Sequence, residues 1–256
     1  INHITGVLKP ERGTITVNGE DVWENERVKR SVLSIADDWF YFGSFTIKQM
    51  AAFYRSVYPT FNNARYEAIK PIFGIDEKRQ IRKLSKGMKK QVAFWLSLST
   101  MPEVLILDEP LDGLDPVMRK QVLNLVIADV ADRNMTVLVS SHNLRELEDI
   151  CDHVGIIHNG HMIMEKPLDD LKGSVHKYQL VFDEDMTDKL RAVDNVLHVS
   201  HVGSIYNVII KGNTRDTDAA MQAFCPSLCE RISLTLEEVF IYELGGLGYD
   251  FKNVIV

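Results

Sequence analysis

The chain is short of several things that would point elsewhere. Only three cysteines, Cys151, Cys225 and Cys229, stand in its 256 residues, too few for a disulfide scaffold and suited to a reducing compartment. Cys225 and Cys229 could make half of a metal site, but no second pair completes it. No apolar run approaches the roughly 18 residues that a membrane-spanning helix needs. Positive charge is in deficit: 29 Lys and Arg against 36 Asp and Glu leave a net charge of −7. That balance argues against nonspecific nucleic-acid binding by the chain as a whole. Internal repeats and low-complexity tracts are missing too. What remains is 45% hydrophobic content, enough for one large core or two smaller ones.

The most informative stretch runs from Val104 to Pro116. Four apolar residues, Val104 to Leu107, read as a fully buried strand of a parallel sheet. Asp108 and Glu109 come next at its carboxyl end, where open α/β sheets bind ligands. Pro110 then stops the strand because it has no N–H to donate. Setting two acids side by side at such a place is costly unless a metal ion and a reaction use them. A Walker B strand has this form, with one acid for Mg²⁺ and the next for the attacking water.

Three further segments carry a family resemblance. Leu84-Ser85-Lys86-Gly87-Met88 resembles the LSGGQ signature, Asp112-Gly113-Leu114-Asp115 the D-loop, and Ser140-Ser141-His142 the switch-histidine loop. Together and in this order they make the chain similar to the ATP-hydrolysing subunit of an ABC transporter. The phrase from Leu234 to Phe240 tilts the resemblance toward the ABC-2 group of exporters. The resemblance implies ATP and Mg²⁺ as cofactors, with Asp108 orienting the metal, Glu109 as general base and His142 sensing the γ-phosphate. It assigns Ser85, Lys86, Gly87 and Asp115 to the ATP of an opposite protomer and to the dimer contact. Lys86 and Met88 depart from the consensus Gly and Gln. Aligning Phe45-Thr46-Ile47 with the family's Leu-Thr-Val puts Asp37 where a Q-loop Gln is expected; a solvated acidic turn is the other reading of Asp37. The implied partners are a membrane-spanning permease and a second cassette, identical or related, at the cytoplasmic face of the membrane. No nucleic-acid partner is expected.

No stretch reads GxxxxGK[ST], the phosphate-cradling loop of such ATPases. Residues Ile1 to Gly13 resemble the helix that comes after it, so the resemblance implies that the sequence begins past that loop. A polypeptide without the loop should bind nucleotide poorly, since the backbone N–H cradle and its Lys are absent.

Along the chain, strand and helix patterns alternate at first. Thr14 to Val17 and Val32 to Ile35 read as strands; Ile47 to Tyr58, Ala64 to Phe73 and Gly87 to Ser99 read as helices. The expected architecture is an α/β, P-loop NTPase-like, mostly parallel sheet with an inserted helical subdomain over about 44–100. Lys83, Lys86, Lys89 and Lys90 give the signature segment a basic character. Asp115 can cap the next helix, with Pro116 at its first position and an apolar face through Val117, Val122, Leu125, Val126 and Ala128. Asn159-Gly160 between apolar runs marks a hairpin. Beyond Lys172 the order strand-helix-strand-strand-helix-strand predicts a small α+β unit, compatible with a ferredoxin-like fold. A last helix is expected over Thr235 to Leu244, ending at Gly245-Gly246. The division expected is 1–172 for the ATPase core and 173–256 for an accessory or regulatory domain.

The aromatics Trp39 to Phe42, Phe45, Phe53, Tyr54 and Tyr58 suit either a core or a groove for a permease helix. Two other functions stay open at this level: an inactive or regulatory ABC-type subunit, and a soluble ABC ATPase acting on nucleic acid or ribosomes. Against the latter, no coiled-coil insertion or second cassette is present.

Overall fold

Val104–Asp108 lies in the middle of a three-stranded parallel sheet, as a run buried on both faces should. The computed structural model describes residues 1–148 and 150–245. It divides the chain into two units, Ile1–His142 and Asn143 onward. The first opens with a ribbon, β1 (Thr16–Val17) and β2 (Glu20–Asp21), and continues through α1 (Glu26–Ser31) and β3 (Val32–Ile35). Helices α2 (Ile47–Val57), α3 (Asn63–Phe73) and α4 (Lys86–Ser99) come next, then β4 (Val104–Asp108), α5 (Pro116–Arg133) and β5 (Thr136–Ser140). The sheet order is β3-β4-β5, with Ile35 opposite Leu107 and Asp108 opposite Ser140.

The two-residue period of the strands sorts their side chains. Leu33, Ile35, Leu105 and Leu107 join the large core shared with the helices. Val32, Val104 and Ile106 face the other way, onto Val22 and Val28. All three helices between β3 and β4 belong to the subdomain expected there. Each begins with a side-chain cap: Thr46 in a full capping box with Gln49, Asn62 on Arg65 N, and Ser85 on Met88 N. From Val92 to Ser99 every residue of α4 is buried. Trp95 is fully enclosed, stacked 4.7 Å from Tyr66 and donating its indole N–H to the Tyr66 carbonyl at 2.9 Å.

Helix α5 starts as expected, Asp115 accepting from Val117 N and Met118 N ahead of Pro116. Its buried stripe differs. Val117 is 69% exposed and Ala128 is exposed, whereas Val122, Val126 and Asp129 are the buried positions. Asp129 enters the interior because two guanidinium groups neutralise it, Arg65 at 2.7 Å and Arg133 at 3.1 Å.

The second unit contains α6 (Leu144–Glu148), the hairpin β6 (His153–His158) and β7 (His161–Pro167), and α7 (Leu168–Gly173). Asn159 and Gly160 both take positive φ, 49° and 78°, as the two-residue turn requires. After them come β8 (Val175–Val181), α8 (Thr187–Arg191), β9 (Val196–Val202), β10 (Ile205–Lys211), α9 (Thr214–Gln222), β11 (Leu228–Ile232) and α10 (Leu236–Gly245). The sheet order β11-β8-β10-β9, antiparallel throughout, is that of a ferredoxin-like βαββαβ unit. The expected end of the last helix at Gly246 lies outside the described residues.

The change of sequence pattern puts the division at 172/173, whereas contacts put it at 142/143. Glu148 explains the shift: it pairs with Lys172 at 2.7 Å and accepts from Leu236 N at 3.2 Å. These bonds tie α6 and α7 to α10, so the β6–β7 hairpin segment belongs with the ferredoxin-like unit. The three cysteines carry no disulfide. Among the described residues, no helix is long and apolar enough to cross a membrane.

Candidate active site

Glu109 is the centre of the site. It leaves β4 with φ 45°, a left-handed conformation that side chains avoid and that Pro110 makes harder still. Its N–H continues the ladder to the Ser140 carbonyl of β5 at 3.0 Å. Its Oε1 accepts two bonds from one residue: His142 N at 3.0 Å and His142 Nδ1 at 2.9 Å. Ser141 Oγ lies 3.5 Å from Oε2. One residue earlier, Asp108 Oδ1 accepts from Ser140 Oγ at 2.5 Å. The parallel register that sets Asp108 beside Ser140 therefore brings both acids to the switch-histidine loop.

A neutral His142 ring that donates from Nδ1 to Glu109 has an acceptor at Nε2. Donation from Nε2 to a phosphate oxygen therefore calls for the imidazolium, or for the ring to leave Glu109. His142 is mostly exposed and Glu109 mostly covered, so the ring can turn while the carboxylate stays.

Helix α4 approaches from the other side. Lys86 Nζ is 3.1 Å and Lys90 Nζ 3.3 Å from Asp37 Oδ1, and Lys90 also donates to the Glu109 carbonyl at 2.6 Å. The Lys86 and then the Lys90 ammonium hold the Asp37 carboxyl below its usual range, against the opposing effect of desolvation. Ser85 and Asp115 serve as helix caps of α4 and α5. Gly87 meets the D-loop of its own chain: a Cβ there would collide with the Gly113 carbonyl oxygen, a rigid backbone atom. A glycine in the first turn of a helix costs stability unless such close approach requires it. Gly87→Ala should therefore lower stability by about 1–3 kcal/mol, typical of overpacking. Thermal unfolding would read this as a fall of roughly 2–4 °C per kcal/mol.

Two residues of the cluster receive no individual role from the sequence alone. Lys90 reads there as one more lysine of a basic segment, although it is 4% exposed. Its signal is the four-residue spacing from Lys86, which puts both amines on one helix face. Asp112 sits with Glu109 and His142 so that one ligand atom from each lies within 4.8 Å of the others.

A parallel sheet with paired acids at its carboxyl edge, an inserted helical subdomain and a capped signature helix defines an ATP-binding cassette. Comparison with known proteins agrees. The family model described as ABC transporter matches residues 1–112. YtrB of Bacillus subtilis, an ABC transporter ATP-binding protein, is 30% identical over 95% of this chain and 83% of its own. BcrA of Bacillus licheniformis, a bacitracin transport ATP-binding protein, is 32% identical over 75% of this chain and 63% of its own. A solved ATP-binding subunit of an ABC transporter superposes with a TM-score of 0.61 at 27% identity, covering 67% of this chain and 73% of that one. The chain belongs to the ATP-binding subunits of ABC transporters. It is an ATP-binding, ATP-hydrolysing subunit that powers transport.

Proposed function

We propose that this subunit drives an exporter through a pair of cassettes that close around MgATP, with Glu109 as the general base. The observation that carries the reading is the double hold of His142 on Glu109 Oε1, which keeps the carboxylate aimed, while Oε2, with its long 3.5 Å contact from Ser141 Oγ, has a lone pair to offer the attacking water. Phosphoryl transfer asks mostly for positioning and charge neutralisation, so one placed base suffices. Asp108 is the acid assigned to Mg²⁺; its carboxylate oxygens are the hard donors this ion takes, and the Ser140 hydroxyl fixes one of them at 2.5 Å. When bound, Mg²⁺ neutralises phosphate charge. Chelating it should abolish turnover of the complete protein, and turnover that survives EDTA would remove Asp108 from this role.

Ser85, Lys86 and Gly87 are assigned to the nucleotide of the opposite protomer. Ser85 caps α4, which leaves early N–H groups and the positive helix end toward an anion. Asp115 is assigned to the dimer contact, and Asp37 to the Q-loop position. The permease is assigned to the aromatic rim, where Phe40 is 68% and Phe53 36% exposed beside the packed Trp39, Tyr41, Phe42, Phe45 and Tyr58. This reading puts the subunit at the cytoplasmic face of the membrane, held there by its partner. The ferredoxin-like unit is assigned an accessory or regulatory part.

Export is supported by the relatives: BcrA is a bacitracin transport protein, and SrtF of Streptococcus pyogenes, 30% identical over 73% of this chain, is a lantibiotic transport protein. The substrate class proposed is a peptide, an antibiotic or a lipid-like compound. Deleting the gene should lower the inhibitory concentration of at least one peptide antibiotic for the host. Unchanged sensitivity across a panel of such compounds would overturn the peptide-antibiotic part of this reading.

A further inference from the structure

We propose that Lys90 is a positioning residue for the hydrolysis step: its ammonium fixes the Glu109 peptide in its left-handed turn. This rests on Glu109 being the base. The Lys90 side chain is 3% exposed. Lysine is almost never so enclosed unless paired, because desolvating an ammonium is expensive. It has two partners, Asp37 Oδ1 at 3.3 Å and the Glu109 carbonyl at 2.6 Å. Asp37 supplies the counter-charge and the carbonyl receives a charge-assisted bond.

The receiving peptide is the one that needs holding. A non-glycine residue at φ 45° ahead of proline lies in a sparsely populated region. Such conformations persist only where the surroundings over-determine them. Here β5 holds the Glu109 N–H through the Ser140 carbonyl at 3.0 Å, and α4 holds its C=O through Lys90. With both ends of the residue fixed, the carboxylate meets His142. The Asp37–Lys86 pair is a weaker candidate for this work, since Lys86 is 64% and Asp37 47% exposed. The arrangement also links the signature helix to the base of the same chain: a shift of α4 moves the ammonium that holds Glu109.

The test is steady-state ATP hydrolysis by the complete protein carrying Lys90→Met, Glu109→Gln or the double change Asp37→Asn with Lys90→Met. Lys90→Met should lower kcat by about 10- to 100-fold, the cost of misplacing a reacting group by about an ångström. KM for ATP should stay within about twofold, because the enclosed Lys90 ammonium bonds to Asp37 and the Glu109 carbonyl of its own chain, so that only the chemical step loses. The double variant has no stranded charge, so it should fold and yet remain as slow as Lys90→Met. Turnover by Lys90→Met within about twofold of the parent would overturn the proposal, as would recovery in the double variant, which would reduce Lys90 to a counter-ion of Asp37. Should Lys90→Met fail to fold, the double variant is read against Asp37→Asn alone, and equal turnover by the two would overturn the proposal. An active Glu109→Gln protein overturns the base assignment itself; an inactive one beside a normal Lys90→Met protein overturns only the role of Lys90.

Discussion

Glu109→Gln in the complete protein should leave ATP bound and the cassettes closed while turnover falls by about 100- to 10,000-fold, the usual contribution of a placed base. Glutamine keeps the shape of the side chain. Its amide oxygen can still accept from His142 N and Nδ1, which now stand 3.0 and 2.9 Å from the carboxylate. What it cannot do is take a proton. Binding and closure should therefore persist, and the chemical step alone should fail. Single-turnover hydrolysis separates the two, together with the oligomeric state by light scattering in the presence of ATP. Undiminished hydrolysis would remove Glu109 from its role and leave the cluster with Asp112 and His142 unexplained.

The largest expected effect on stability comes from Trp95→Ala, at about 3–5 kcal/mol. Trp95 is fully buried, lies between Tyr66 at 4.7 Å and Phe73 at 6.1 Å, and satisfies its N–H on the Tyr66 carbonyl. Truncation opens a cavity among flat rings that cannot close by rotamer changes and leaves that carbonyl without its donor. Against a typical stability of about 5–15 kcal/mol, the loss is a large share. The position makes it functional as well. Ser85, Lys86, Gly87 and Lys90 all stand on or at the start of the helix that Trp95 anchors. Chemical denaturation would show the midpoint falling, and turnover should fall with it. A midpoint unchanged by the substitution would mean that α3 and α4 are held chiefly by other contacts.

How far the sequence can be read depends on the range of the interactions concerned. The strand Val104–Asp108 is plain because burial on both faces forces a continuous apolar run. The ferredoxin-like order is plain because each of its strands and helices carries its own local pattern. The stripe of α5 is misplaced by its periodicity because a carboxylate, Asp129, is buried there by a guanidinium from α3, which the sequence of α5 does not record. The division at 142/143 is hidden for the same reason, since Glu148 finds Lys172 and Leu236 far along the chain. At the site, Glu109 and His142 announce themselves by motif. Lys90 does not, because its burial depends on Asp37 and on one carbonyl oxygen. The positive φ of Glu109 has a faint warning in Pro110, which merely restricts its neighbour without saying where it must go.

Asp115 is assigned to the contact with a second cassette, yet both of its close bonds go to Val117 N and Met118 N at the start of α5. Both donors meet Oδ1, which leaves Oδ2 to reach across to another molecule. Recognition by a facing copy would then be shared between that oxygen and the exposed turn at Gly113, whose φ of 78° favours glycine. Such an interface would tolerate Asp115→Asn, since asparagine caps about as well, while resisting any residue at Gly113 that cannot follow the same path.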